Sequence, residues 1–471
     1  MLKREILSRT WFVVALLLAI KLIGLWLDPV PRFFLGDSAS YVHAALTDWF
    51  PSDRSFTYPK WVFRSTAVAS GSIYALVFVQ TLCGVISAWL LYFLMRRFGK
   101  VSAGLALIFA CLFAAEPAQL FYERMVMAET LGGLAFLAFL ATLLQFCRDG
   151  RWGWIPLFVG LGLLAISFRM NLLPAILASS LLAPMLRWLL NLGRPGRFNV
   201  RSGHLLALSL VVLSTAGGHH LYKAFVGASI EGRPSYIGAE GRMRLGLIAP
   251  LVRPGHLIAA GIDPALLDQL EPPLTDHRAR ESHIWHEFGL VRLIEANYPG
   301  VDRLASKVAV RAFQDDRWGL IRLGWLTTAD YFNAEVTAPR MHDDLATRAL
   351  PDTLLQALEK HFAFDGSQQH QRFGLVARYF SASTVWLTAC YFLLPLLCLL
   401  GLYKQRSRLA GSDGAVVLMM VLLSLGLVLS QFLFSHIVSF RYLHLFPAFC
   451  LYWVAVLVCR AGYVADAPRA P

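Results

Sequence analysis

The chain has 471 residues, of which 57% are hydrophobic and 15% charged, and its formal net charge is +13. That is too apolar for a water-soluble globular protein, and apolar runs of about 18–20 residues recur, each long enough to cross a bilayer. The positive charge is not a nucleic-acid patch. Between Leu221 and Phe380, 18 Lys and Arg meet 19 Asp and Glu, so the surplus sits in short loops between apolar runs.

About ten runs read as membrane spans: 11–27, 72–95, 101–115, 126–147, 152–168, 171–190, 204–221, 381–403, 415–435 and 437–459. The third and fifth are short, which leaves nine or eleven open. No small-residue cleavage site follows the first run, so it reads as a retained anchor. Ten spans put all the basic clusters on one side. These are Lys3, Arg4 and Arg9; Arg96, Arg97 and Lys100; Arg148 and Arg151; Arg187, Arg194, Arg197 and Arg201; Lys404, Arg406 and Arg408; and Arg460.

The expected fold is an all-α polytopic membrane protein with both termini in the cytoplasm. Residues 1–221 form a core of about seven transmembrane helices, interrupted by a first outer loop at 28–71. Residues 222–380 form an extracytoplasmic, mostly helical domain. Residues 381–460 supply about three more transmembrane helices, and 461–471 form a cytoplasmic tail. Within the insert, apolar residues at spacings of three and four predict helices near 277–297, 301–326 and 341–362. In the first loop Tyr41, Ala44, Ala45 and Trp49 predict a surface helix. No internal repeat is visible, which argues against a transporter built from inverted repeats.

Polar groups gather at the outer ends of the spans. Asp37 opens the first loop in Gly36-Asp37-Ser38-Ala39-Ser40-Tyr41. Glu123, Arg124 and Glu129 occupy the next outer turn, Arg169 lies in Ser167-Phe168-Arg169-Met170-Asn171, and Arg441 and Tyr442 open the last span. Acids near a membrane need a task or a partner. Acids with arginines at this level suit a reaction on a lipid phosphate: guanidinium forks hold the phosphate, and a carboxylate takes the proton from an attacking hydroxyl.

In this order the chain resembles the GT-C superfamily of integral-membrane glycosyltransferases. The likeness is to the bacterial branch related to protein O-mannosyltransferases and the lipid A aminoarabinose transferase. The matching features are Gly36-Asp37-Ser38 with Tyr41, Glu129 near the start of the fourth span, Arg169 ahead of Pro174, and Arg441-Tyr442 with Pro447. The resemblance implies an inverting transfer from a polyprenyl-phosphate sugar to a glycan, lipid or protein acceptor. It also implies a site on the outer face of the bacterial cytoplasmic membrane. It makes Asp37 the base and Glu129 a second acid. Tyr41, Glu123, Arg124, Arg169, Arg441 and Tyr442 become substrate contacts. The chain departs from the protein O-mannosyltransferases in lacking an Asp-Glu pair, since Ser38 follows Asp37.

Plainer readings stand beside these. Asp37 is also placed to cap the surface helix, and Glu129 to pair with Arg124 at a helix start. Arg169 and Arg441 also suit anchors at headgroup level, and Glu123 reads as a solvated charge. His219-His220 reads as interfacial, and Asp315-Asp316 and Asp343-Asp344 as solvated helix charges. A divalent cation beside Asp37 is left open, but no metal ligand set is assigned: His283 and His286 lack an HExxH frame and a third ligand. The seven cysteines all lie in apolar runs, so no disulfide ties the outer loops. Two rivals remain. A polymerase or ligase would rely on Arg233, Arg242, Arg244 and His256 of the insert, and a lipid-linked sugar flippase would carry mid-span charges.

Overall fold

The computed structural model describes residues 2–34, 36–191, 198–230, 232–367 and 374–459. The tail 461–471 and the basic residues Arg194, Arg197 and Arg460 lie outside the described residues. In chain order the first helices are α1 (Leu2–Leu27), α2 (Asp37–Leu46), α3 (Ile73–Arg97), α4 (Ala103–Ala114), α5 (Pro117–Tyr122), α6 (Glu129–Asp149), α7 (Trp154–Phe168), α8 (Leu173–Asn191) and α9 (Phe198–Ser229). A π-helical turn, Tyr58–Val68, closes the first loop.

The insert holds α10 (Glu240–Ile248), α11 (Pro254–Ala260), α12 (Ser282–Trp285), α13 (Leu290–Asn297), α14 (Val301–Asp315), α15 (Gly319–Ala329), α16 (Ala334–Asp344), α17 (Asp352–Phe362) and α18 (Leu375–Ala382). Three helices follow: α19 (Thr384–Lys404), α20 (Gly411–Phe434) and α21 (Phe446–Val458).

Among the described residues there is no strand, and 8 helices are long and apolar enough to cross a membrane. The two shorter apolar helices are Ala103–Ala114 and Trp154–Phe168, at the two runs whose length left the count open. The protein is an all-α polytopic membrane protein.

The core forms around α6 and α21, whose apolar windows are 67% and 72% buried, against 22% for the first span. Phe136 of α6 meets Phe449 of α21 at 6.1 Å between ring centroids. Gly401 of α19 lies under Trp453, where a Cβ would run into the indole. α6 starts on Glu129 and ends with Arg148 in its last turn, so both termini complement the helix dipole. Gly150, at φ 68, stops it.

The two ends of the bundle differ. At one end basic side chains close the helix carbonyls. Arg148 donates to Arg97 O at 3.2 Å, Arg187 to Cys147 O at 2.9 Å and Arg408 to Phe98 O at 3.1 Å. The first loop, the 123–129 turn, the 169–172 turn, the 435–445 segment and the insert meet at the opposite end.

The insert has two parts. Its first half builds a core of its own around Leu245, Leu257, Ile294 and Val308. Its second half joins the membrane core through Tyr331, Leu358 and Phe364, and Phe380 stacks on Phe121 at 4.4 Å. The helices expected over 277–297, 301–326 and 341–362 are shorter than the periodicity implied. Gly289 interrupts the first, the Asp316–Trp318 turn the second, and the stretch before Asp352 the third.

Candidate active site

Asp37 is the first residue of α2, placed there by Gly36. Gly36 adopts φ 90, a conformation that favours glycine, and acts as the N-cap without a side-chain bond. Asp37 is therefore not the cap of its helix. The next residue explains the missing second carboxylate: Ser38 Oγ accepts from Phe34 N at 2.8 Å and donates to Val126 O at 2.9 Å. Ser38 ties the start of α2 to the 123–129 turn, a task an acid could not perform toward a carbonyl.

That turn is itself held firmly. Arg32 N donates to Arg124 O at 2.9 Å, and Val126 N donates to Arg32 O at 2.8 Å. Gln80 Nε2 donates to Glu123 O and to Met125 O, each at 2.9 Å, while Tyr58 Oη donates to Gln80 Oε1 at 2.7 Å.

Asp37 sits between two guanidinium groups. Arg54 Nη1 donates to its Oδ1 at 2.7 Å, and Arg441 Nη1 to its Oδ2 at 2.7 Å. Arg54 is steadied in turn by Asp53, at 3.0 Å through Nε and 2.5 Å through Nη2. Arg441 lies over the rings of Phe34 (4.7 Å) and Tyr442 (4.9 Å) and donates to Tyr442 Oη at 3.0 Å. Burial alone would raise the Asp37 carboxyl, but Arg441 and then Arg54 outweigh it and hold the group below the usual carboxylate range.

A second pair lies beside the first. Glu129, at the start of α6, meets Arg169 Nη1 at 2.6 Å, so its partner is Arg169 and not Arg124. Arg169 crosses Gly132 so closely that a Cβ there would fall 2.5 Å from its Cγ. Its guanidinium lies 5.6 Å from the Tyr442 ring. Buried Tyr41 feels both acids: burial, then Asp37, then Glu129 push its phenol above the ordinary range.

Asp37, Arg54, Arg441 and Tyr442 line a cavity of ≈ 760 Å³ between the first loop, the insert and the 436–442 segment. The insert contributes Glu281, Trp285, Arg340 and Asp344 to its wall. Tyr41, Glu123, Arg124, Glu129 and Arg169 are not brought to this wall. Nor is Glu123 solvated: it is fully buried in an ion pair with Lys21 of α1. Arg124, also fully buried, donates to Asp28 O at 2.5 Å and to Leu120 O.

Two participants escaped the sequence reading. Arg54 carried no signal beyond its place in the first loop. Asp344, read as a solvated charge, is buried, and its carboxylate accepts from Phe440 N at 2.6 Å and Ser439 Oγ at 2.9 Å. Burial pushes its carboxyl up to about 6, although nearby Arg441 pulls the other way. It holds the backbone next to Arg441. Asp343 is paired with Arg348 at 2.6 Å.

His436 also borders the cavity. Burial lowers its imidazole to about 4, against the pull of Glu281, so it stands neutral near pH 7. Glu281 bonds Arg340 at 2.6 Å.

Other histidines and acids fall elsewhere. Buried His283 faces Pro273 O at 3.4 Å, while His286 lies 3.4 Å from Glu271, so the two do not share a partner. His219 is buried and bonded to Tyr236 Oη at 2.7 Å. Asp315 pairs with His256 and Asp316 with Arg322. Of the insert residues a polymerase or ligase would use, Arg242 pairs with Glu295, Arg244 with Glu240 and His256 with Asp315, and none of these three lines the cavity.

Both carboxylate oxygens of Asp37 accept from arginine, and among the described residues no group of three or more His, Cys, Asp or Glu is placed to hold a metal ion.

Residues 58–216 match the dolichyl-phosphate-mannose-protein mannosyltransferase family. The matched stretch contains Glu129 and Arg169 and excludes Asp37 and Arg441. The match supports a membrane glycosyltransferase of the GT-C superfamily. Among curated proteins no match is found.

Proposed function

We propose that this glycosyltransferase moves a sugar, with inversion, from a polyprenyl-phosphate donor to a hydroxyl of a glycan, lipid or protein acceptor. The reaction takes place in the 760 Å³ cavity, on the outer face of the bacterial cytoplasmic membrane. The observation that carries this reading is Asp37 in the cavity wall, held between Arg54 and Arg441. An acid that must accept a proton and cations that must hold a leaving phosphate stand side by side.

In the transfer, the acceptor oxygen forms a bond to the anomeric carbon as the bond from that carbon to the phosphate oxygen breaks. The acceptor proton goes to Asp37, and the lipid phosphate leaves as an anion. With both oxygens engaged by arginine, Asp37 is a weak base in the free protein. A donor phosphate competes for the same guanidinium groups, and drawing Arg441 or Arg54 away releases the carboxylate and raises its basicity. Donor binding thus prepares the base, while the arginines neutralise the leaving group.

Glu129 keeps Arg169 beside Tyr442. Asp344 fixes the Ser439–Phe440 backbone and with it the reach of Arg441. No step is routed through a cation. The test is transfer by the purified protein from a defined polyprenyl-phosphate sugar to an acceptor extract of the cell envelope. Release of free polyprenyl phosphate matched by sugar in the acceptor fraction supports the reading. Intact donor after prolonged incubation with folded protein contradicts it.

A further inference from the structure

The helix α15 is turned inside out for a helix in water. Its N-cap Trp318 and its outward residues Ile321 and Trp325, spaced by three and four, form an apolar stripe that Phe332 extends. Trp318 is 77% exposed and Trp325 68%, whereas Thr327 and Asp330 are 4% and 6% exposed. A solvated helix would show the reverse order.

The inversion is not a packing fault, because the inward polar groups are bonded. Thr328 Oγ1 lies 3.3 Å from Tyr391 Oη, and Thr327 Oγ1 donates to Leu323 O at 3.0 Å. Asp330 accepts from His277 and from Arg278, each at 2.7 Å.

The stripe continues the surface that the spans present to lipid. α15 lies against the end of α20, where Gly324 approaches Phe432 O so closely that a Cβ would sit 2.5 Å from it. Phe332 meets Phe392 of α19 at 4.7 Å between ring centroids, tilted by 41°, and that span exposes Leu393 and Leu396. Exposed Arg317 and Arg322 flank the tryptophans.

We propose that the outward face of α15 lies in the headgroup layer of the bilayer, at the active-site end of the spans. Tryptophan favours that layer because its ring is apolar and its N–H finds a partner there. Arg317 complements a lipid phosphate and reaches up from the apolar boundary, while Arg322 is held by Asp316 at 2.9 Å. A sheet of water between this face and the adjoining spans would leave a large tryptophan-rich patch exposed. The bilayer then fixes the height of the insert over the cavity, since Tyr331, directly after α15, bonds Ser439 O at 3.1 Å.

The test uses the full chain with its seven native cysteines replaced, reconstituted in phosphatidylcholine–phosphatidylglycerol vesicles. Nitroxides are attached at Ile321→Cys and Trp325→Cys, and at exposed Asp268→Cys in the outlying half of the insert as the aqueous reference. Collisions with oxygen and with a neutral nickel chelate are then measured. The proposal expects an oxygen-to-nickel ratio at 321 and 325 at least about threefold above that at 268, because oxygen concentrates in lipid and the chelate in water. Equal ratios would place the face in water and overturn it. Low access to both reagents would place it against protein, such as a second copy, and also overturn it. The Ile321→Cys label reads the same face with both tryptophans present.

Discussion

Arg441 and Asp37 stand 404 positions apart in the chain, and their side chains meet at 2.7 Å. One opens the last membrane-spanning segment, and the other begins the helix after the first. The contact closes the bundle and places a fork of hydrogen-bond donors on the proposed base.

Arg441→Lys and Arg54→Lys should both weaken use of the donor, because lysine keeps the charge but loses the planar fork. The larger effect is expected at Arg441, which also lies over Phe34 and Tyr442. A rise in donor KM of about tenfold, with a smaller change in kcat, corresponds to the loss of one charge-assisted hydrogen bond. Steady-state kinetics at varied donor concentration would measure it, and an unchanged KM for both variants would remove the arginines from the phosphate site.

Asp344 should make stability depend on pH. Its carboxyl is raised to about 6 in the folded protein by burial, against about 4 in an unfolded chain. Between those values the native state holds a proton that the unfolded state has lost, so stability falls as pH rises through the window. The loss is on the order of 3 kcal/mol. Asp344→Asn cannot titrate, so the wild type should lose thermal stability relative to this variant between pH 4.5 and 7.5. Asp37 shifts the opposite way, and its contribution is lost only as pH falls below about 4. A melting difference that stays constant with pH would show that Asp344 does not titrate there.

The Lys21–Glu123 pair is fully buried, and Lys21 lies within the first apolar span. Removing one partner leaves a bare charge, so Glu123→Gln should cost roughly 3–5 kcal/mol. Replacing both with methionine should recover most of that loss, because the desolvation cost disappears along with the attraction. Unfolding midpoints in detergent would compare the three proteins. A Glu123→Gln midpoint equal to wild type would mean that water reaches the pair.

Sidedness is tested by labelling. In a cysteine-free background, Asp53→Cys at the cavity wall should react with an impermeant thiol reagent added to sealed cells. Exposed Ser407→Cys at the opposite end of the bundle should react only after lysis. Reaction at 407 in sealed cells would reverse the orientation.

The spans were legible because a bilayer imposes length and apolarity on each one separately, and both are local properties. The doubtful runs, 101–115 and 152–168, became the short helices Ala103–Ala114 and Trp154–Phe168. Asp37, Arg169 and Arg441 were visible as charges interrupting apolar sequence. Their pairing was not, since nothing near Glu129 indicates whether it meets Arg124 or Arg169, and nothing near Arg124 indicates that it turns to the Asp28 carbonyl. Asp344 and Arg54 were hidden for the same reason. In a polar segment a charge that will be buried by a distant strap, here Ser439–Phe440, has the same local pattern as one left in water.

The most direct test of the central claim is sugar transfer by purified Asp37→Asn protein. Asparagine keeps the size of the side chain and an oxygen for one arginine, but it cannot take the acceptor proton. Loss of the charge-assisted contacts should lower stability by about 1.5–3 kcal/mol, which leaves a folded protein to assay. The account predicts transfer reduced by a factor of roughly 100 or more with donor binding retained. Transfer by folded Asp37→Asn protein at close to the wild-type rate would contradict it, leaving Asp37 as a structural partner of Arg54 and Arg441 alone.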